Sequence, residues 1–251
     1  MKTRMKTQEM RRMAFAIALG LIWWTGGCQN GTLEGREPDE IALIESGAAE
    51  APSPSSFVER EFWLALSEEP GWHLNQARAR YMDREAWRSA EELEKVAAIL
   101  NFETRHSHSQ RERGLLLASV AELREVSRQL RLGTDPTRGG PSLAELDRVS
   151  ALAFRTIAAH DVTLGRDALE SGDARMAGRY IGETVKALQA GFERGGITMG
   201  HVLSSDLEKA RSAAVSLEME GDGTREEGFV NLDLLDEAVL ELGNVLTNRR
   251  K

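Results

Sequence analysis

Apolar residues recur along this chain at alternating steps of three and four, and this spacing restricts the fold more than any other feature. Residues spaced in this way lie on one face of an α-helix, so each segment needs a partner that covers its face. Patterns typical of strands are nearly absent, and the sequence therefore predicts an all-α fold. The five stripes are Ala86, Ala90, Leu93, Ala97 and Leu100; Leu116, Val120, Leu123 and Leu130; Leu146, Val149, Ala153 and Ile157; Ala177, Ile181, Thr184, Leu188 and Phe192; and Leu232, Leu235, Val239, Leu242 and Leu246.

Capping and glycine signals separate these segments. Ser109 with Glu112, and Ser142 with Glu145, have the spacing of a capping box, which predicts that each serine begins a helix. The helix that begins at Ser142 either continues to Ser171 or bends near residues 160–163, where helix formers are poor. Further helices are predicted over residues 57–66, 72–83, 198–220 and 231–248, and the breaks between segments fall at 133–141, 172–173, 195–196 and 221–223.

One hairpin resembles a unit of the tetratricopeptide repeat family. The small and bulky residues Gly165, Ala168, Ala177 and Ile181 stand where the two helices of such a unit nest, but Thr184 replaces the usual alanine. The resemblance implies a short array of helical hairpins. The short connections between segments favour an antiparallel helical bundle equally, because they place successive helices side by side.

The N-terminal segment has the layout of a secretory signal. Residues 1–12 hold five basic residues and one acid, the run 13–24 is uncharged and mostly apolar, and small residues follow at 25–27. A spanning helix needs about 20 apolar residues, so this run is too short for a permanent membrane helix. A twin-arginine export signal at Arg11-Arg12 is a weaker alternative.

Cys28 is the only cysteine and follows the small residues directly. The stretch Thr25-Gly26-Gly27-Cys28 resembles the lipobox of bacterial lipoproteins, although Thr25 stands where leucine is usual. The resemblance implies that residues 1–27 are removed and that Cys28 carries fatty acyl chains, including palmitate. Because Gln29 is not the aspartate that retains lipoproteins at the inner membrane, it also implies an outer-membrane anchor facing the periplasm. The alternative is ordinary signal cleavage that leaves a free thiol.

Residues 28–56 predict a disordered tether, since the segment is rich in Gly, Glu, Ala, Pro and Ser and poor in apolar residues. The remaining residues, 57–251, form the predicted helical domain.

The predicted mature chain is strongly acidic. Removal of residues 1–27 takes away five of the 32 basic and one of the 40 acidic residues, which leaves a formal charge of −12. Such an acidic chain, with no basic block before Arg249, Arg250 and Lys251, argues against nucleic acid as a partner.

The best candidate for a metal site is the group Glu103, His106 and His108. A glutamate three residues before a histidine projects from the same helix face, and imidazole with carboxylate suits zinc or iron. The alternative interpretation is a polar loop between two helices. The isolated His73, His160 and His201 are expected to be satisfied or exposed rather than ligands, and no catalytic motif is recognisable.

Two further features concern packing. Trp63, Trp72 and Trp87 are expected to pack in the core, with a ligand groove as the alternative. Gly178 and Gly182 would let a neighbouring helix approach closely.

Taken together, the sequence predicts a non-enzymatic, lipid-anchored scaffold or adaptor that binds an unidentified protein and has no cofactor. The alternative is a metal- or small-ligand-binding bundle of the cell envelope.

Overall fold

The structure, a computed structural model, describes residues 69–105, 107, 109–133, 140–220 and 225–248. These residues form seven helices and no strand, so the all-α prediction is confirmed. The helices are α1 (69–82), α2 (Ala86–Glu103), α3 (Gln110–Leu130), α4 (Leu143–Glu170), α5 (Ala174–Arg194), α6 (His201–Glu220) and α7 (Arg225–Asn248).

The predicted signal peptide, Cys28, the tether and the predicted helix over 57–66 lie outside the described residues. Within the described part, no helix combines the length and the apolar character needed to cross a bilayer. Lipidation and the membrane anchor therefore stay predictions.

The predicted stripes form one continuous core. Nearly every stripe residue is buried, and Leu93, Leu116, Leu146, Ile181 and Leu232 are fully inaccessible to solvent. Burying a leucine or isoleucine side chain stabilises a fold by about 1.5–3 kcal/mol, so packing of these faces is the main force that holds the helices together.

Two of the helix starts follow from local capping. The Oγ of Ser142 accepts a hydrogen bond from the backbone N–H of Glu145 at 3.1 Å, as predicted, and Asp173 caps α5 through the N–H of Met176 at 3.1 Å. Ser109 is the N-cap residue of α3, so the predicted helix start is confirmed, but the predicted capping box is wrong because the Ser109 side chain makes no capping hydrogen bond. Glu112, its expected partner, instead contacts Ser107 and a histidine of α4.

Helix α4 continues without a break through residues 160–163, so the bend considered there does not occur. The buried positions of this segment pack into the core, and the hydroxyl of Thr163 donates to the carbonyl of Ala159 at 3.2 Å. Poor helix formers cost at most about 0.7 kcal/mol per residue relative to alanine. Tertiary packing outweighs this cost.

Helix α7 returns to the middle of the chain and contacts α4, α5 and α6. A helix in an open array of hairpins packs mainly on its close neighbours in sequence, so contact between α7 and α4 favours a closed bundle. The tetratricopeptide-like Gly165 participates in this closure, because a Cβ added there would lie 3.0 Å from a methyl of Leu232 in α7.

Close approach of α5 and α6 depends on Gly178. A Cβ at this position would lie 2.6 Å from the carbonyl oxygen of Ala214 and 2.9 Å from the nitrogen of Glu218. At Gly182, one turn further on, an added Cβ would meet the Ala214 side chain at an ordinary 3.9 Å. The predicted close packing is therefore confirmed at Gly178 and is looser at Gly182.

Candidate functional site

The predicted metal group is only partly covered by the described residues. Glu103 lies at the C-terminal end of α2 and is buried, whereas His106 and His108 lie outside the described residues. The carboxylate of Glu103 faces a different histidine, His160 of α4. Among the described residues, no group of three or more His, Cys, Asp or Glu side chains is arranged to hold a metal ion. The set of Glu103, His106 and His108 stays a prediction.

His160 lies between two buried carboxylates. Its Nε2 donates to Oε2 of Glu103 at 3.1 Å, and its Nδ1 contacts Oε1 of Glu112. The second oxygen of Glu112 accepts a hydrogen bond from the hydroxyl of Ser107 at 2.7 Å. This arrangement joins the end of α2, the start of α3 and the middle of α4.

The imidazole of His160 is charged in this environment. Burial alone would lower the pKa of His160, but the hydrogen bonds to Glu103 and Glu112 and the nearby negative charges raise the pKa to about 10. While both ring nitrogens are protonated, each acts as a hydrogen-bond donor to one of the two carboxylates. The contacts with Glu103 and Glu112 agree with the prediction that His160 is a satisfied histidine.

Asp161, the next residue of α4, has a different environment. It is 1% exposed, and neither of its carboxylate oxygens has a hydrogen-bond partner among the described residues. Burial raises the pKa of Asp161 well above its usual value; His160 opposes this rise, and Glu183 and Glu103 add to it. Buried carboxylates in native proteins are normally paired or hydrogen-bonded, so a buried aspartate without a partner among the described residues is unusual.

Asp161 lines a small cleft between α1, α4 and α5. The cleft has a volume of about 190 Å³, and Trp72, Phe154 and Ile157 supply much of its apolar wall. Glu183 and Lys186 line it as well, and they form an ion pair at 2.5 Å. A half-buried Trp72 in this wall agrees with the groove alternative for the tryptophans better than with full core packing.

A second histidine, His73, connects α1 to the adjacent helix. Its Nδ1 contacts Oε2 of Glu92 in α2, and its Nε2 lies 3.6 Å from Oε1 of Glu69. His201, in contrast, is exposed at the start of α6. Both agree with the prediction that the isolated histidines are satisfied or solvent-facing.

Trp87 contradicts the expectation of core packing. It is 59% exposed at the start of α2, and the guanidinium of Arg131 lies 5.2 Å from the centre of its ring. Leu132, 65% exposed, lines the same shallow cleft, together with Arg84 and Arg88. We call these five residues the Trp87 patch. Trp63 lies outside the described residues.

The spacing of apolar residues in the sequence indicates that Asp161 is buried, but the poor helix formers at residues 160–163 had suggested a bend there instead. The stripe of α4 runs from Leu146 to Ile157, and a further step of three or four falls on His160 and Asp161. Two ionisable residues on the buried face of a helix need partners or a ligand. The partners of His160 come from residues 48 and 57 positions away, which no local pattern identifies.

Comparison with protein-family models, curated proteins and solved structures finds no match to this chain.

Proposed function

We propose that this chain is a membrane-anchored lipoprotein of a bacterial cell envelope whose helical domain binds another protein as a scaffold or adaptor. The lipobox-like stretch ending in Cys28 supports the anchor, and the tether supports a domain held clear of the membrane. The Trp87 patch is the observation that carries the binding role. Its partner is a protein that inserts an apolar side chain beside Trp87 and surrounds it with acidic groups.

The composition of the patch supports this partner chemistry. Tryptophan and arginine are enriched among the residues that contribute most to protein–protein binding. Arg84, Arg88 and Arg131 line the cleft, while Glu85 is its acidic residue. A basic, partly apolar surface contrasts with a chain whose formal charge is −8, so an acidic partner is electrostatically complementary.

Binding is tested with the purified full chain on a solid support, incubated with solubilised envelope proteins. We expect one acidic protein to be retained by the wild type and lost with Trp87→Ala. The control is Met219→Ala, which removes an apolar side chain that is 79% exposed on α6. The retained protein, once purified, should bind the chain directly, with an affinity that falls as salt increases. Equal retention by Trp87→Ala, or self-association of the chain through this patch, would reject the proposed partner.

The anchor is tested separately by membrane fractionation. Cys28→Ser is expected to leave the membrane fraction, whereas the wild type stays in it, because the acyl chains provide the attachment. Retention of Cys28→Ser at the wild-type level contradicts the anchor without affecting the binding result.

A further inference from the structure

We propose that the cleft between α1, α4 and α5 binds a small organic ammonium ion, with Asp161 as its counter-ion. The site is separate from the Trp87 patch and does not depend on the protein-binding proposal. Asp161 carries it, because both of its carboxyl oxygens are buried and unpartnered among the described residues, and the residue lines the cleft.

The charges around Asp161 favour a cation. The charged groups that act on Asp161 are His160, Glu103 and Glu183, and Lys186 lines the same cleft. His160 is already held between Glu103 and Glu112, and Lys186 pairs with Glu183. Asp161 is therefore the carboxyl group of this set for which the described side chains supply no hydrogen bond or ion pair. Burial raises its pKa, and an ammonium ion beside it would favour the charged form.

The walls of the cleft favour an organic cation over a metal ion. Calcium and magnesium require about six or more oxygen ligands, and this cleft offers two carboxylates, those of Asp161 and Glu183. Trp72 and Phe154 present aromatic carbon, which attracts ammonium groups through their π-electrons and also packs against an alkyl chain. The volume of about 190 Å³ lies below the range of drug-sized pockets, so the ligand is a small amine.

The probe is n-butylammonium chloride, titrated calorimetrically into the purified full chain at constant ionic strength. 1-Butanol is the uncharged control of the same shape, and sodium chloride is the inorganic control. We expect saturable binding of butylammonium with a dissociation constant of about 1 mM, typical of so small a ligand, and no binding of butanol or sodium.

Asp161→Asn tests the counter-ion, because it removes the charge and keeps the shape. It is expected to weaken butylammonium binding about tenfold or more. The matched control is Asp167→Asn on the same helix, at an exposed position, which should bind like the wild type. Circular dichroism melting of each variant shows whether it is folded, so that loss of binding is attributed to the carboxylate.

Four results would overturn the proposal. They are no binding of butylammonium to the wild type up to about 10 mM, equal binding of butanol, equal competition by sodium, and unchanged affinity in Asp161→Asn. The last would place the ammonium elsewhere on this acidic chain.

Discussion

The contact between α5 and α6 predicts opposite effects for two glycine substitutions four residues apart. Alanine at either position of a helix interior improves helix propensity by about 0.5–1 kcal/mol. At Gly182 the added methyl has room, with its nearest neighbour the Ala214 side chain at 3.9 Å. Gly182→Ala is therefore expected to stabilise the protein by about 0.5–1 kcal/mol.

Gly178→Ala gains the same propensity term but creates a clash that cannot be relieved by a side-chain rotation. The two closest atoms are backbone, the Ala214 oxygen at 2.6 Å and the Glu218 nitrogen at 2.9 Å, so α6 must move away. Overpacking of this kind costs about 1–3 kcal/mol. The net change is a destabilisation of up to about 2 kcal/mol, which separates the two variants by about 1–3 kcal/mol.

Urea unfolding of the purified full chain, followed by circular dichroism, measures this difference directly. In thermal melts, each kcal/mol corresponds to a shift in Tm of about 2–4 °C for a chain of this size. Gly114→Ala provides a second reference, because an added Cβ there has no neighbour within 4 Å. If Gly178→Ala proves as stable as Gly182→Ala, the close helix approach described above is incorrect.

Three further predictions concern the ionisable groups. His160→Gln leaves Glu103 and Glu112 without their cation and should destabilise the protein by about 3–5 kcal/mol at neutral pH. The folded pKa of His160, about 10, exceeds the ordinary 6.5, so its stabilisation is full below pH 6.5 and is lost as pH rises through about 10. Urea titrations across this range should show a decline in the free energy of unfolding of the wild type that the variant lacks. Burial also raises the folded pKa of Asp161, so its favourable contribution is present below pH 3.8 and is lost as pH rises through the folded pKa. Asp161→Asn should therefore unfold at a higher urea concentration than the wild type at neutral pH. A lower urea midpoint for this variant would contradict the unpaired carboxylate. Since Glu103 is engaged by His160, metal analysis of the purified chain should find no stoichiometric zinc or iron, whereas metal that disappears in His106→Ala would support the metal-site alternative.

The sequence predicted what depends on neighbours along the chain. Leu93 and Ile181 are buried because helical spacing places them on an apolar face, and Ser142 caps α4 because Glu145 is three residues away. The failures involve residues whose environment is set by distant segments. Glu112 is buried beside His160 rather than capping its own helix, and Trp87 is exposed although tryptophan is usually well buried.

The candidate ligand site could not be predicted from the sequence for the same reason. Asp161 falls on the buried stripe, which indicates that it needs compensation, but the cleft beside it is formed by Trp72 of α1 and by Glu183 and Lys186 of α5. Periodicity predicts which face of a helix is covered; it does not specify which side chains of other helices lie opposite it.

The return of α7 onto α4 has a consequence for the nascent chain. During synthesis α7 leaves the ribosome after the helices against which it packs, and Leu232 and Leu242 then cover parts of α4 and α5 that were bare until that moment. A growing polypeptide that stops before residue 225 exposes this apolar surface, which is the kind of surface that chaperones recognise. Closure of the bundle therefore waits until α7 has been synthesised.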